Sequence, residues 1–308
     1  MTQEPIPHWP GELVRIGDQQ VYVRSTPDEG GEPALCVHGL AGSSRNWTDL
    51  IDLLRPRLAC AALDLPGFGD SPPRPDRRYS IAALAQTVAA LIESRKNKVH
   101  LIASSLGGAV AVKLAATRPD LVRTLTLISP ALPDPRPHLD QVHFAVLSLP
   151  GVGPRLLRKY DALPPQIRVA DVITTCFSDP ARFPAERFAA EVAELARRDT
   201  LDHATAALIG TVRTLTADFF RKGRHTGWRD AARITAPSLV IYGSDDRVVD
   251  PRLAGRAAHA FANARIVVLP RTGHLAHMEH PEQVAAEIAV MLDATAQRAR
   301  EFPLAPAG

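Results

Sequence analysis

The sequence predicts an α/β fold: a mostly parallel, doubly wound sheet interrupted by an inserted helical region. Three observations predict it. Over residues 12–130, short apolar runs of strand length alternate with helical patterns. From 131 to 235 the strand signal fades into helix after helix, and from 236 the β-type runs resume. Alternation of this kind is what parallel strands joined by crossover helices require.

The elements follow in order. QQVYVRS (19–25) is rich in β-branched and aromatic residues and reads as a strand. ALCVHG (34–39), LACAALDL (58–65), VHLIAS (99–104) and LVRTLTLIS (121–129) are continuous apolar runs, suited to strands buried on both faces. Helical stretches lie between them near 44–55, 80–95 and 105–118, with Ser80 as an N-cap and Pro119 closing the third. PALPDPRP (130–137) breaks this rhythm. QIRVADVITTCF, AERFAAEVAELARR and HATAALIGTVRTLTADFF then repeat apolar residues at three- and four-residue spacing. SLVIYG (238–243) and ARIVVLP (264–270) are strands around a helix near 251–262, and PEQVAAEIAVMLDA (281–294) is a last helix. The division expected is a core over 1–130 and 236–308, with 131–235 inserted between its halves and EFPLAPAG as a frayed end.

Composition removes several classes of function. A chain of 308 residues, 45% apolar and 22% charged, can bury a full core without staples. Its net charge of +3 and lack of a dense basic block argue against nucleic-acid binding. No long uncharged apolar run marks a membrane span, so stable membrane insertion is not expected. The N-terminus lacks a basic segment followed by an apolar one, which makes the cytoplasm the default location. Cys36, Cys60 and Cys176 form no CxxC pair, so neither a disulfide framework nor a zinc knuckle is indicated. The oligomeric state is not encoded in any pattern found here.

The sharpest local feature is Ala103-Ser104-Ser105-Leu106-Gly107-Gly108, at the end of a strand and the start of a helix. A serine on such a tight turn projects its hydroxyl off the sheet beside free helix N–H groups. Ala103 stands where glycine is usual, and Ser104 is the rival serine, facing the other way. A serine needs a base and the base an orienting acid. Tyr242-Gly243-Ser244-Asp245-Asp246 places two carboxylates past one strand, and Thr272-Gly273-His274 a histidine past the next. The spacing of His274, His277 and His280 invites a metal reading, but no HExxH is present. HGLAGSS and LPGFGDS lack the phosphate-cradling glycine patterns, so no cofactor and no metal are expected.

Together with His38-Gly39-Leu40-Ala41-Gly42-Ser43, Asp64-Leu65-Pro66-Gly67-Phe68-Gly69-Asp70-Ser71 and the later Glu279 and Pro281, these motifs make the sequence resemble the α/β-hydrolase superfamily. The resemblance covers the chain outside the insertion. It implies the α/β-hydrolase fold, with 131–235 as a helical cap over the site. It also implies that Ser105 is the nucleophile, His274 the base and Asp246, rather than Asp245, the acid. The backbone N–H groups of Leu106 and Leu40 would form the oxyanion hole. His38 reads as a structural hydrogen-bonding group, and Asp64 as a residue that shapes a neighbouring loop.

The fold hosts many reactions, so the residues at the site must choose. Relatives that hydrolyse epoxides or dehalogenate use an aspartate nucleophile, whereas this chain has Ser105; the insertion holds a single tyrosine, Tyr160, where family epoxide hydrolases use two. The expectation is a carboxylesterase or lipase-like enzyme acting on a small-molecule ester with an apolar acyl part, suggested by aliphatic stretches such as 138–149. The rival is a C–C bond hydrolase of dienoates, for which Arg45, Asn46 and Arg168 are candidate carboxylate-binding groups. A non-catalytic receptor on the same fold is the remaining alternative.

Overall fold

The computed structural model describes residues 6–134, 146–220 and 226–301. An eight-stranded sheet runs in the order β1-β2-β4-β3-β5-β6-β7-β8. Its strands are β1 Gly11–Ile16, β2 Gln19–Ser25, β3 Glu32–Val37, β4 Leu58–Leu63, β5 Val99–Ser104, β6 Val122–Ile128, β7 Ser238–Gly243 and β8 Ala264–Leu269. β1 and β2 form an antiparallel hairpin, and β2 meets β4 antiparallel; every later pairing is parallel. The sequence reading missed β1, whose residues are mostly exposed and so lack an apolar signature. β8, read from ARIVVLP, forms the other sheet edge and is only partly covered.

Strands buried on both faces show their alternation in what each face touches. Leu35 and Val37, Leu101 and Ala103, Val240 and Tyr242 join one apolar cluster, whereas Ala34 and Cys36, Ile102, Leu239 and Ile241 join another. The first is covered by α2 Ile81–Ser94 and α3 Ser105–Thr117, the second by α1 Thr48–Leu54 and a long C-terminal helix, Pro281–Glu301. Ser80 caps α2 as expected, accepting the Ala83 N–H at 3.2 Å.

The chain leaves the sheet after β6 and returns on the neighbouring strand, β7, with Ile128 opposite Ile241. The elements described between them are helices: α4 Val152–Asp161, α5 Pro165–Cys176, α6 Ala185–Arg198, α7 Ala204–Phe220 and α8 Thr226–Ala231. Two further helices follow β7 and β8, α9 Leu253–Ala260 and the short α10 Ala276–Glu279, before α11 Pro281–Glu301. The aliphatic stretch 138–149 lies largely outside the described residues, as does the terminal segment beyond 301. No helix among the described residues is long and apolar enough to cross a membrane.

β3 is followed by β4 on one side of it and then by β5 on the other. The chain therefore changes direction beside β3, and the loops after β3 and β5 diverge around a crevice, the usual place for a site in an open α/β sheet.

Candidate active site

Ser105 opens α3 directly after β5 with φ of 49°, a left-handed conformation unusual for a residue with a side chain. Such strain persists only where surroundings enforce it. Here Ala131 N–H bonds to the Ser105 carbonyl at 2.9 Å, and the turn after β3 presses from the other side. A Cβ on Gly39 would sit 3.0 Å from the Ser105 Cβ, so glycine is what lets that turn approach the serine. Ser104 points elsewhere: it is buried in the sheet, and its hydroxyl has no hydrogen-bond partner among the described residues.

His38 holds the turn after β3 in place. Its Nε2 accepts the Leu65 N–H at 2.9 Å, so its proton is on Nδ1 and donates to the Gly39 carbonyl at 2.7 Å. Complete burial lowers its pKa against the nearby Asp64 charge and keeps the ring neutral. Asp64 ties two loops together, accepting the Ser44 N–H at 2.5 Å and the Asp70 N–H at 2.8 Å. Leu40 follows Gly39, and its N–H has no acceptor among the described residues. Leu106 lies in the first turn of α3, where helix N–H groups are unpaired.

The acid and the base meet from two different loops. His274 Nδ1 lies 2.9 Å from Asp246 Oδ2 and 3.1 Å from Oδ1, and both side chains are buried. Asp246 Oδ1 also accepts the N–H groups of Val248 and Val249 at 2.8 and 2.9 Å. Burial alone would raise this carboxyl's pKa; the His274 charge, its hydrogen bond and the Val249 N–H outweigh it and hold the group low. Asp245 faces away, accepting the Ser178 hydroxyl at 2.5 Å. With Nδ1–H donating to Asp246, the lone pair of His274 is on Nε2. No hydrogen bond joins the Ser105 hydroxyl to that ring among the described residues.

Residues outside the predicted set support the histidine. The Glu279 carboxylate, 2% exposed, accepts the Gly273 N–H at 2.7 Å and the Asp179 N–H at 2.8 Å. It thus links the histidine loop to the segment after α5. Leu275 N–H reaches the Cys176 carbonyl at 3.3 Å, and a Cβ on Gly273 would collide with that same oxygen. The motif containing Glu279 was visible in the sequence, but its partners a hundred residues away were not. His277 is buried and stacked on Trp47 at 4.3 Å, and neither ring nitrogen has a hydrogen-bond partner among the described residues. Burial and the nearby His274 push its pKa down to about 3. It is a neutral packing group, and no group of three or more potential metal ligands occurs among the described residues.

The candidate carboxylate-binding groups are all engaged. Arg45 pairs with Glu194 at 3.2 Å, Asn46 accepts the Ser43 N–H at 2.8 Å, and buried Arg168 is paired with Asp161 and Asp199.

Comparison with known proteins agrees with this architecture. A family model described as alpha/beta hydrolase fold matches residues 33–281. The chain belongs to that family. A Pseudomonas savastanoi pv. phaseolicola protein named for carbamate hydrolysis, RutD, is 31% identical over 250 residues, covering 79% of this chain and 86% of that protein. Monoacylglycerol lipase abhd6-A of Xenopus laevis is 25% identical over 257 residues, covering 82% of this α/β-hydrolase and 72% of the lipase. The acetyltransferase component of the acetoin cleaving system of Pseudomonas putida is 28% identical; the match covers 86% of this chain but only 64% of that longer protein. The crystal structure of Cfl2 from Burkholderia cenocepacia superposes with a TM-score of 0.78 at 22% identity, covering 91% of this chain and 94% of Cfl2.

Proposed function

We propose that this α/β-hydrolase is a serine esterase, lipase-like in its preference for small to medium esters with an apolar acyl part. The observation that carries the reading is the His274–Asp246 pair, since it fixes the tautomer that makes Nε2 a base, while Ser105 stands in a strained conformation on the same rim of the sheet.

In this reading His274 removes the Ser105 proton as the hydroxyl oxygen attacks the ester carbonyl. Asp246 holds the ring and stabilises the imidazolium that results. The negative oxygen of the tetrahedral intermediate is met by the N–H groups of Leu106 and Leu40, an interaction for which a single donor is worth about 3–4 kcal/mol. Collapse expels the alcohol, protonated by His274, and leaves an acyl group on Ser105. Water, activated by the same ring, then releases the acid. The helical segment between β6 and β7 serves as the cap, and a lipase among the relatives supports an apolar acyl part. C–C bond cleavage is the weaker reading, because Arg45, Asn46 and Arg168 are already committed to protein partners.

A fluorophosphonate probe and p-nitrophenyl esters of graded chain length test this directly. The wild type should label and turn over the shorter esters, and Ser105→Ala should lose labelling and at least about 10⁴-fold in kcat. Turnover of a dienoate with none of the esters would replace the reading by the C–C one. A folded wild type that never labels would favour the receptor.

A further inference from the structure

Large apolar side chains left in solvent are concentrated in one run of the chain. Leu149, Val152, Leu156, Leu163, Ile167 and Val172, all 40–52% exposed, fall within 149–172, which comprises α4, its approach and most of α5. Scattered exposed residues are ordinary, whereas a concentration of them marks a surface that meets something apolar.

The charges on the same run are sorted. On α4, Val152 and Leu156 are one turn apart, and exposed Arg155 and Lys159 occupy the neighbouring row, with Arg158 beyond them. Gly153 and Leu157 form the inward row. The acidic groups of this region are turned to internal use. Asp161 pairs with buried Arg168 at 3.2 Å, and Asp171 accepts the Tyr160 hydroxyl at 3.0 Å. Among the described residues no carboxylate pairs with Arg155, Arg158 or Lys159; Arg155 donates to the Gly151 carbonyl at 3.0 Å. What faces outward is therefore apolar and cationic at once.

We propose that the outer face of α4, with the turn leading into α5, docks reversibly on a lipid bilayer bearing anionic headgroups. Apolar side chains bordered by cations suit that boundary: Val152 and Leu156 enter the acyl region while Arg155, Arg158 and Lys159 meet phosphate. A protein partner would have to place an acid opposite each of these cations, whereas an anionic bilayer presents phosphate all along its surface. Attachment is peripheral, since no described helix can span a membrane. The docking face belongs to the segment that leaves the sheet at the carboxyl end of β6, the rim on which Ser105 and Asp246 also stand. The proposal does not depend on the enzymatic reading.

The test is co-sedimentation of the full chain with vesicles of phosphatidylcholine alone and of phosphatidylcholine mixed with an equal amount of phosphatidylglycerol. Binding should be much stronger to the mixed vesicles and should weaken with added salt. Removing each cation, as in Arg155→Gln, Arg158→Gln and Lys159→Gln, should weaken it about fivefold. The double variant Val152→Asp/Leu156→Asp should abolish binding, with its thermal melt unchanged because both side chains are already in solvent. Equal sedimentation with both vesicle types, or binding indifferent to all five substitutions, overturns the proposal. So does a dimer in light scattering that Val152→Asp converts to monomer, because the face would then belong to a second copy of the chain.

Discussion

Two of the fastenings that tie the helical segment between β6 and β7 to the core are built differently. Residues 174–182 are held mainly through backbone groups, with one buried carboxylate and one exposed side-chain bond. Glu279 bridges Gly273 and Asp179, Cys176 meets Leu275, and Ser178 meets Asp245. Residues 187–198 are held by side-chain charges: Arg187 to Asp49 at 2.5 Å, Glu194 to Arg45 at 3.2 Å and Arg197 to Asp70 at 2.8 Å. Arg198 adds a bond to the Ala41 carbonyl at 2.8 Å. Buried backbone bonds are costly to leave unmade, while ion pairs with an exposed member, such as Arg187–Asp49 and Arg197–Asp70, contribute little and are screened by salt. The first fastening should therefore move with the acid and histidine loops, and the second is where the segment can lift from the turn carrying Leu40.

Four predictions bear on that contrast. The largest effect is expected at two adjacent carboxylates, Asp246 beside His274 and Asp245 in the first fastening. Asp246→Asn should lower kcat about 10⁴-fold because it misplaces the His274 proton, whereas Asp245→Asn loses only the Ser178 bond and should stay near wild type. A steady-state comparison of the two that ranks them the other way would move the acid to the wrong side of the loop. Next is Glu279→Ala, which strands the Gly273 and Asp179 N–H groups. A loss of about 2–4 kcal/mol in denaturant melts is expected, with partial recovery in Glu279→Gln.

The third concerns pH. The unfolded chain protonates His277 near 6.5, whereas the folded chain resists until about 3. Stability from this group is thus complete above 6.5 and lost as the pH falls from there toward 3. Replacing His277 by Phe should flatten the acid side of a plot of Tm against pH; an unchanged slope would mean the ring is not held neutral. His8 beside Arg187 in the second fastening follows the same sign over a narrower range, since burial and the Arg187 charge lower its pKa to about 4.

The smallest effect is expected from Arg187→Ala, under about 1 kcal/mol given that Asp49 is 43% exposed. High salt should nonetheless speed amide exchange in α6 while leaving 176–179 protected. Equal protection in both stretches would erase the distinction between the fastenings.

Much of this molecule was legible before folding. Apolar runs such as VHLIAS and SLVIYG have no use except as strands covered on both sides, and both are buried throughout. The serine at a strand-to-helix junction was legible for the same reason, because φ of 49° at Ser105 follows from how sharply the chain must turn there. β1 escaped notice because a half-exposed edge strand carries no burial pattern. Arg45, Asn46 and Arg168 looked free because a charge in a sequence does not reveal its partner.

The sequence by itself determined the order of strands and helices from β2 onward, the family and the three side chains that could assemble a nucleophile, a base and an acid. Those are properties of local periodicity and of turns a few residues long. Only the tertiary structure decided that Glu279 spans to Asp179, that the Asp246 carboxylate implied by the resemblance bonds His274, and that among the described residues the cations of α4 meet no carboxylate. Each of these depends on the direction of a side chain relative to residues tens to hundreds of positions away, and one residue of register in a loop reverses that direction.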